Sequence, residues 1–224
     1  MKPYKYFDVV SMVFVSTLLI SNIAAQKLFA FGKFTFTCGI IVFPLAYIFG
    51  DVLTEVYGYA KARRVIWTGL ICNILMITVF KISIALPPAV GWPFQKEFEA
   101  VLGYVPRIVL ASVLAYCVGE FCNSFVLAKL KVRTAGKYLW IRTIGSTIVG
   151  QFADTAVFAT VAFAGRLPTK LIIASALSGY LFKVVYEAAA TPLTYLIVGF
   201  LKQREGIDFF DKQTNFTPFK FFSD

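Results

Sequence analysis

Charged residues stand so far apart in this chain that they leave a series of long apolar stretches. The first, Val9 to Gln26, has 18 residues without a charge, and about 20 apolar residues are enough for a helix to cross a bilayer. Further stretches follow, so the predicted spans cover residues 9–27, 36–55, 64–86, 106–129, 142–165 and 170–201. We therefore predict an all-α integral membrane protein of about six transmembrane helices in residues 1–203, with a cytoplasmic tail in residues 204–224.

The composition excludes an ordinary soluble protein. Hydrophobic residues make up 58% of the chain and charged residues only 15%, whereas soluble domains average about 25% charged residues. The net charge of +10 would raise the question of nucleic acid binding in a soluble protein. Here, however, the Lys and Arg residues lie between the apolar stretches. We therefore expect a lipid bilayer as the surroundings and no nucleic acid as a partner.

The distribution of Lys and Arg predicts the orientation in the membrane. The side that holds the N-terminus, the loops after spans two and four and the tail carries 14 of them, and the other side carries 6. Positive residues favour the cytoplasmic side of a membrane protein. The prediction is a multi-pass protein of the cytoplasmic (inner) membrane with both termini in the cytoplasm.

Several kinds of chemistry find no support in the sequence. The chain has no histidine, no nucleotide-binding glycine-lysine motif, and four cysteines without the spacing of a metal site, namely Cys38, Cys72, Cys117 and Cys122. We therefore predict no cofactor and no metal. An enzyme acting within the membrane would have to rely on an aspartyl pair, Asp51 and Asp154, so we predict that the protein is not an enzyme.

The candidate functional residues are the polar groups inside the predicted spans, because a charge in the bilayer costs several kcal/mol and needs a partner or water. Asp51 and Glu55 are spaced i, i+4 near the end of span two. The alternative for this pair is a solvated helix end with Lys61, Arg63 or Arg64 as partners.

Spans four, five and six each carry further polar pairs. Gln151 and Asp154 lie near the middle of span five, where the alternative to a ligand site is an ion pair between Asp154 and Lys183. Lys183 and Glu187 are spaced i, i+4 and could instead pair with each other, which would leave Asp154 or Glu120 without a cation. Glu120, with Asn123 three residues on, could also be a protonated acid that joins helices.

These groups favour a planar ligand with several N–H donors and a carbonyl. A carboxylate can accept from both N–H groups of a guanine-like edge, and an amide or Lys can donate to its oxygen. The aromatic rings of Phe43 and Tyr47 could stack on such a ligand, although ordinary packing is the alternative for each. A small amino compound or an ion is an equally possible ligand on this reasoning.

Several segments together resemble the queuosine precursor transporter family, which is grouped with the vitamin uptake transporters. They are FPLAYIFGDVLTEVYG at 43–58 followed by Ala62-Arg63-Arg64, Arg107 with Ala111-Ser112 and Ala115-Tyr116, Ser146-Thr147, Gly150-Gln151 with Asp154-Thr155, Lys183, Pro192, Tyr195, and NFTPF at 215–219. The matching positions extend from Asn22 to the tail, nearly the whole chain. With Asn22 included, the candidate substrate-binding residues are Asn22, Phe43, Tyr47, Asp51, Glu120, Gln151, Asp154, Lys183 and Glu187.

The resemblance implies a six-helix secondary transporter that imports a 7-deazaguanine precursor of queuosine. The candidates are 7-cyano-7-deazaguanine, 7-aminomethyl-7-deazaguanine and queuine. Glu55 is a weaker candidate than Asp51, because members of the family vary at that position. The fold could consist of two inverted three-helix halves, as in many carriers, and a homodimer is a further expectation.

The alternative function is the substrate-binding membrane subunit of an energy-coupling-factor importer. Such subunits dock on a coupling subunit through small-residue faces such as A-x-x-x-A in the first helix. The first span of this chain lacks that spacing of alanines, which favours the stand-alone transporter.

Overall fold

The computed structural model describes residues 4–24, 27–31, 34–103, 106–165 and 168–219. These residues are mostly helical, so the prediction of an all-α membrane protein is confirmed. The α-helices in this part of the chain are α1 Phe7–Ala24, α2 Phe43–Val52, α3 Tyr59–Ala85, α4 Gln95–Leu102, α5 Pro106–Arg133, α6 Leu139–Phe163 and α7 Thr169–Glu205.

Five of these helices, α1, α3, α5, α6 and α7, are long and apolar enough to cross a membrane. Each corresponds to one of the apolar stretches of the sequence. Helix α7 has 37 residues and contains Pro192, which makes it about 55 Å long at 1.5 Å per residue. The hydrocarbon core of a bilayer is only about 30 Å thick, so the last turns of α7 extend beyond it.

The second predicted span, residues 36–55, is not one continuous helix. Strands β1 (Leu28–Phe31) and β2 (Phe34–Thr37) form an antiparallel hairpin, and a 3₁₀ turn, Cys38–Ile41, leads into α2. Phe and Thr alternate in the sequence of β2, a pattern typical of strands, and Pro44 lies in the first turn of α2, where proline is favoured. The expectation of a full-length helix over 36–55 was therefore wrong.

A π turn, Leu53–Tyr57, follows α2 directly and is buried throughout. Together with the ten residues of α2 it extends about 22 Å at 1.5 Å per residue, less than a bilayer requires. Gly58 ends this segment with φ +87, a conformation that glycine adopts without strain. Single π turns inside helices often lie at functional sites.

Helices α5 and α6 pack with their backbones in contact. A Cβ atom added to Gly119 would lie 2.7 Å from Asp154 Cβ, and one added to Gly150 would lie 2.7 Å from Asn123 Cβ. Small residues allow this close approach of membrane helices. The contact places Asp154 of α6 against Gly119 and Asn123 of α5 against Gly150.

The start of α1 and the end of α7 lie at the same end of the helix bundle, which we call the terminal end. The backbone N–H groups of Lys5 and Tyr6 donate to the Glu205 carboxylate at 2.9 and 2.6 Å. The hydroxyl of Tyr57 donates to the same carboxylate at 3.0 Å. The terminal end therefore contains the first residues of α1, the π turn and the end of α7.

Candidate functional site

A small internal cavity lies between α2, α5 and α6, and we call its surroundings the central site. Its volume is about 10 Å³, which is close to the space that one water molecule needs. In this structure the central site therefore has room for about one water molecule. The residues that line the cavity are Tyr47, Tyr116, Gly119, Glu120, Asn123, Gln151 and Asp154.

Two hydrogen bonds join α2 to the α5–α6 pair at this cavity. The hydroxyl of Tyr47 donates to Gln151 Oε1 at 3.0 Å, and Asn123 Nδ2 donates to Asp51 Oδ1 at 2.7 Å. Tyr47 and Asp51 are four residues apart and therefore lie on one face of α2. Asp51 is fully buried, so the Asn123 amide supplies a hydrogen bond that its carboxyl would otherwise lack.

A salt bridge joins α6 to α7 beside the cavity. Lys183 Nζ lies 2.6 Å from Asp154 Oδ2, and the two side chains are 27% and 13% exposed. This is the ion pair that the sequence left as an alternative. The other alternative, a pair between Lys183 and Glu187, is not formed. Neither carboxylate oxygen of Glu187 has a hydrogen-bond partner among the described residues. Lys183 reaches the facing helix instead of the next turn of its own.

Other buried oxygens of the central site also lack hydrogen-bond partners in the described part of the chain. They are Asp51 Oδ2, Tyr116 Oη, Glu120 Oε2, Asn123 Oδ1 and both carboxylate oxygens of Glu187. The carboxyls of Glu120, Asp154 and Glu187 all lie within electrostatic range of the Tyr47 hydroxyl. The central site thus gathers four acidic side chains around a cavity, and its buried surface is rich in acceptors.

The remaining predicted residues have different positions. Asn22 donates from Nδ2 to Asn73 Oδ1 at 2.6 Å, which joins α1 to α3, and it is not among the residues that line the cavity. The side chain of Phe43 lies outside the described residues.

Sequence reasoning missed some lining residues as members of the site, namely Tyr116, Gly119 and Asn123. Their spacing around Glu120 could have identified them, because positions 116, 119, 120 and 123 follow one face of a helix.

A second buried polar cluster lies at the terminal end, around Glu55. Arg142 donates from Nη2 to Oε1 at 2.6 Å and from Nε to Oε2 at 3.1 Å. Lys202 Nζ lies 2.7 Å from Oε1, and Lys131 Nζ lies 3.5 Å from the same atom. Glu55 is fully buried. The cluster joins the π turn to α5, α6 and α7, and we call it the Glu55 network.

The network corrects one expectation from the sequence. The sequence left open a solvated helix end for Glu55, with Lys61, Arg63 or Arg64 as partners, whereas its partners are Arg142, Lys131 and Lys202. The reason is that the helices which supply these cations close over the π turn, where Glu55 points inward.

The tail packs across the terminal end and adds Asp208 to the network. Asp208 Oδ1 lies 2.9 Å from Lys202 Nζ and also accepts a hydrogen bond from Lys131. Partial burial alone would raise the pKa of the Asp208 carboxyl, but the hydrogen bonds from Lys131 and Lys202 outweigh burial and hold this pKa below its usual range.

Residues further along the tail bind α3. Arg63 donates from Nη1 to the carbonyls of Asn215 and Thr217 at 2.9 and 2.6 Å. The indole N–H of Trp67 donates to the Pro218 carbonyl at 2.7 Å. These bonds satisfy backbone carbonyl groups of the tail and attach the tail to α3. The tail is therefore part of the folded domain.

Comparison with known proteins agrees with the architecture. The sequence profile of the family described as "Putative vitamin uptake transporter" matches residues 37–197. A probable queuosine precursor transporter of Bacillus subtilis (strain 168) is 29% identical over 176 residues, which cover 78% of this chain and 77% of the relative.

Two further relatives carry related names. The queuosine precursor transporter of Escherichia coli (strain K12) is 26% identical over 186 residues, 81% of each chain. A probable queuosine precursor transporter of Haemophilus influenzae is 27% identical over 154 residues, 69% of this chain and 62% of the relative. No solved structure matches the chain. With five apolar membrane-length helices and a family profile that matches more than half of its residues, this chain belongs to the vitamin uptake transporter family, together with the queuosine precursor transporters.

Proposed function

We propose that this protein is a secondary transporter that imports a queuosine precursor across the cytoplasmic membrane. The substrate class is a 7-deazaguanine, such as 7-cyano-7-deazaguanine, 7-aminomethyl-7-deazaguanine or queuine. The names of the three relatives support this class. The observation that carries the proposal is the buried cavity lined by Tyr47, Glu120, Asn123, Gln151 and Asp154.

The lining groups have the chemistry that a guanine-like edge needs. A carboxylate accepts from a ring N–H and an exocyclic amine together, and two carboxylates, those of Glu120 and Asp154, line the cavity. The amide of Gln151 can donate to a ring carbonyl. Lys183 does not line the cavity itself, but its ammonium lies beside it in the salt bridge to Asp154 and could donate in the same way. The phenol ring of Tyr47, on the opposite helix, offers an aromatic face.

Transport requires that the closed cavity opens to each side in turn. A volume of about 10 Å³ holds one water molecule and no heterocycle. We propose that the terminal end faces the cytoplasm and that the Glu55 network closes the path on this side. The network joins the π turn to three helices, so opening toward the cytoplasm would separate at least one of these cations from Glu55.

The test is uptake of a labelled 7-deazaguanine in a strain that lacks both its own carrier and its own synthesis route. We expect the wild-type chain to restore uptake. Asp154→Asn and Lys183→Met should abolish it, because each removes one partner of the salt bridge beside the cavity. Glu97→Gln is the matched control, since Glu97 lies on the exposed helix α4. Membrane insertion of each variant is measured by immunoblotting of isolated membranes.

Normal uptake by both salt-bridge variants would contradict the assignment of the central site. Reconstitution separates the proposed carrier from a subunit of an energy-coupling-factor importer. Uptake into liposomes that contain only this chain, without ATP, is expected for a secondary transporter, and a requirement for ATP and partner subunits would overturn it.

A further inference from the structure

We propose that the central site is built for a positively charged substrate rich in N–H donors, and therefore that it prefers 7-aminomethyl-7-deazaguanine to 7-cyano-7-deazaguanine. This inference rests on the proposed function and refines its substrate class. It follows from two independent properties of the described residues, namely the hydrogen-bonding capacity of the buried surface and its balance of charges.

The first property is an excess of acceptors. Glu120 Oε2 and Asn123 Oδ1 belong to residues that line the cavity, and both atoms are buried without a hydrogen-bond partner in the described chain. Asp51 Oδ2, on the α2 side of the Asn123 bond, is in the same situation. Buried polar atoms are nearly always satisfied in folded proteins. A substrate that completes these bonds must donate hydrogens, since carboxylate and amide oxygens accept them.

The same surface offers few donors in return. The hydroxyl of Tyr116 lines the cavity and has no partner among the described residues, and a hydroxyl can donate as well as accept. The Asn123 amide nitrogen already donates to Asp51. The Gln151 amide nitrogen also lines the cavity and can serve the ring carbonyl that both compounds carry. A further group that can only accept hydrogen bonds then meets mainly acceptors among the described residues.

The second property is an excess of acidic side chains. Asp51, Glu120, Asp154 and Glu187 are buried around the site, and the salt bridges in the described residues give a cation, Lys183, to Asp154 alone. A buried charge without a counter-charge is strongly destabilising, and within a membrane it requires a partner or water. A cationic substrate supplies the counter-charge that the ionised form of Glu120 or Glu187 needs and that no salt bridge among the described residues provides.

The two deazaguanines differ in the group that responds to these properties. Both carry the guanine-like edge, so both satisfy the part of the site that recognises it. The aminomethyl group is a primary ammonium at neutral pH, with three N–H donors and a positive charge. The cyano group is neutral and can only accept. Its nitrogen would face carboxylate and amide oxygens, an arrangement that selects against it.

Glu120 is the residue we assign to the ammonium. It is 3% exposed, lines the cavity, and has an oxygen that no described residue binds. Glu187 is the second candidate, since it is 1% exposed and both of its oxygens lack partners in the described chain. Among the described residues, neither side chain forms a hydrogen bond to another helix, so replacing it by an isosteric amide leaves the links of Asp51 and Asp154 in place.

The experiment measures the uptake of each compound into liposomes that contain the purified chain. We expect the wild type to take up the aminomethyl compound about tenfold faster at equal concentration, the factor that corresponds to one charge-assisted hydrogen bond. Glu120→Gln should lower this ratio at least about fivefold, because it removes the counter-charge of the ammonium and so slows the aminomethyl compound more than the cyano compound. Glu187→Gln is the second variant, and Glu97→Gln on α4 is the control that leaves the ratio unchanged.

Three results would overturn the inference. Equal or faster wild-type uptake of the cyano compound contradicts the preference itself. A ratio that neither glutamine variant changes contradicts its physical cause. If neither compound enters the liposomes and neither binds to the purified chain in a competition assay, the proposed function is wrong, and the inference, which depends on it, is wrong as well. A wild type that transports both compounds without a preference removes only the inference.

Discussion

Arg142 holds the carboxylate of Glu55 with two parallel hydrogen bonds, from Nη2 to Oε1 at 2.6 Å and from Nε to Oε2 at 3.1 Å. The side chains are 1% and 0% exposed. This fork geometry is the strongest form of an arginine–carboxylate pair. It fastens α6 to the π turn at the terminal end, 87 residues away in sequence, and it makes Glu55 the centre of the network rather than a surface residue.

The first prediction concerns this pair. Removing one partner of a buried ion pair leaves an uncompensated charge and costs about 3–5 kcal/mol, so Glu55→Gln should lower the melting temperature of the purified protein in detergent. Arg142→Lys should also lower it, because lysine keeps the charge and loses the fork. Arg64→Gln, at an exposed position on α3, is the control. Unchanged melting of both variants would show that the pair contributes nothing to stability.

The second prediction concerns the contact between α5 and α6. A methyl group at position 119 or 150 would overlap Asp154 Cβ or Asn123 Cβ, and overpacking of this kind costs about 1–3 kcal/mol. Gly119→Ala and Gly150→Ala should therefore reduce both thermal stability and uptake. Gly179→Ala on α7 is the control, since nothing lies within 4 Å of the added atom and alanine is the better helix former. Equal behaviour of all three variants would contradict the close packing.

The third prediction compares two glycines with positive φ. Gly58 and Gly91 have φ values of +87 and +83, so alanine strains the backbone at each by about 1–3 kcal/mol. Only at Gly58 would the new methyl group also overlap the ring of Phe209, while Gly91 has open space. Gly58→Ala should lower the melting temperature more than Gly91→Ala. The reverse order would show that Phe209 does not occupy this place.

The fourth prediction tests the docking of the tail. Arg63→Ala removes the two hydrogen bonds to the carbonyls of Asn215 and Thr217, and bonds to a charged group are worth about 1.5–3 kcal/mol each. Trypsin should then cleave after Lys212, an exposed tail residue, about tenfold faster or more.

Arg64→Ala serves as the matched control for this cleavage, because Arg64 is the next residue along α3 and its side chain is exposed. It should leave the cleavage rate at Lys212 unchanged. Cleavage that is already fast in the wild type would mean that the tail is not held on α3.

The long helices could be predicted from the sequence, and the second span could not. An apolar stretch as long as Ile108 to Ala128 is compatible with little other than a membrane helix, because in lipid its backbone groups must bond internally. The segment from Phe34 to Phe43 is equally apolar but short, and its alternation of Phe and Thr suits a strand as well as a helix. Hydropathy alone does not distinguish these two structures.

The candidate site could be predicted as a set of residue types and not as a set of contacts. The cost of burying charge identified these residues: Asp51, Glu120, Asp154 and Glu187 are buried, and Lys183 is half-buried beside Asp154. The partners depend on how helices face one another. Asn123 lies 72 residues from Asp51, and Arg142 lies 87 residues from Glu55. No spacing within one helix contains that information.

The bare contact between Gly119 and Gly150 has a mechanical consequence. At this close packing, a shift of one helix along the other would bring Asp154 or Asn123 against the facing backbone, so we expect α5 and α6 to move as one rigid unit. Movement of the α5–α6 pair relative to α2 would strain the two hydrogen bonds between them, Tyr47–Gln151 and Asp51–Asn123. The residues that hold α2 against α5 and α6 are thus the residues that surround the cavity. A substrate that forms hydrogen bonds with them would also weaken the contact between α2 and the α5–α6 pair.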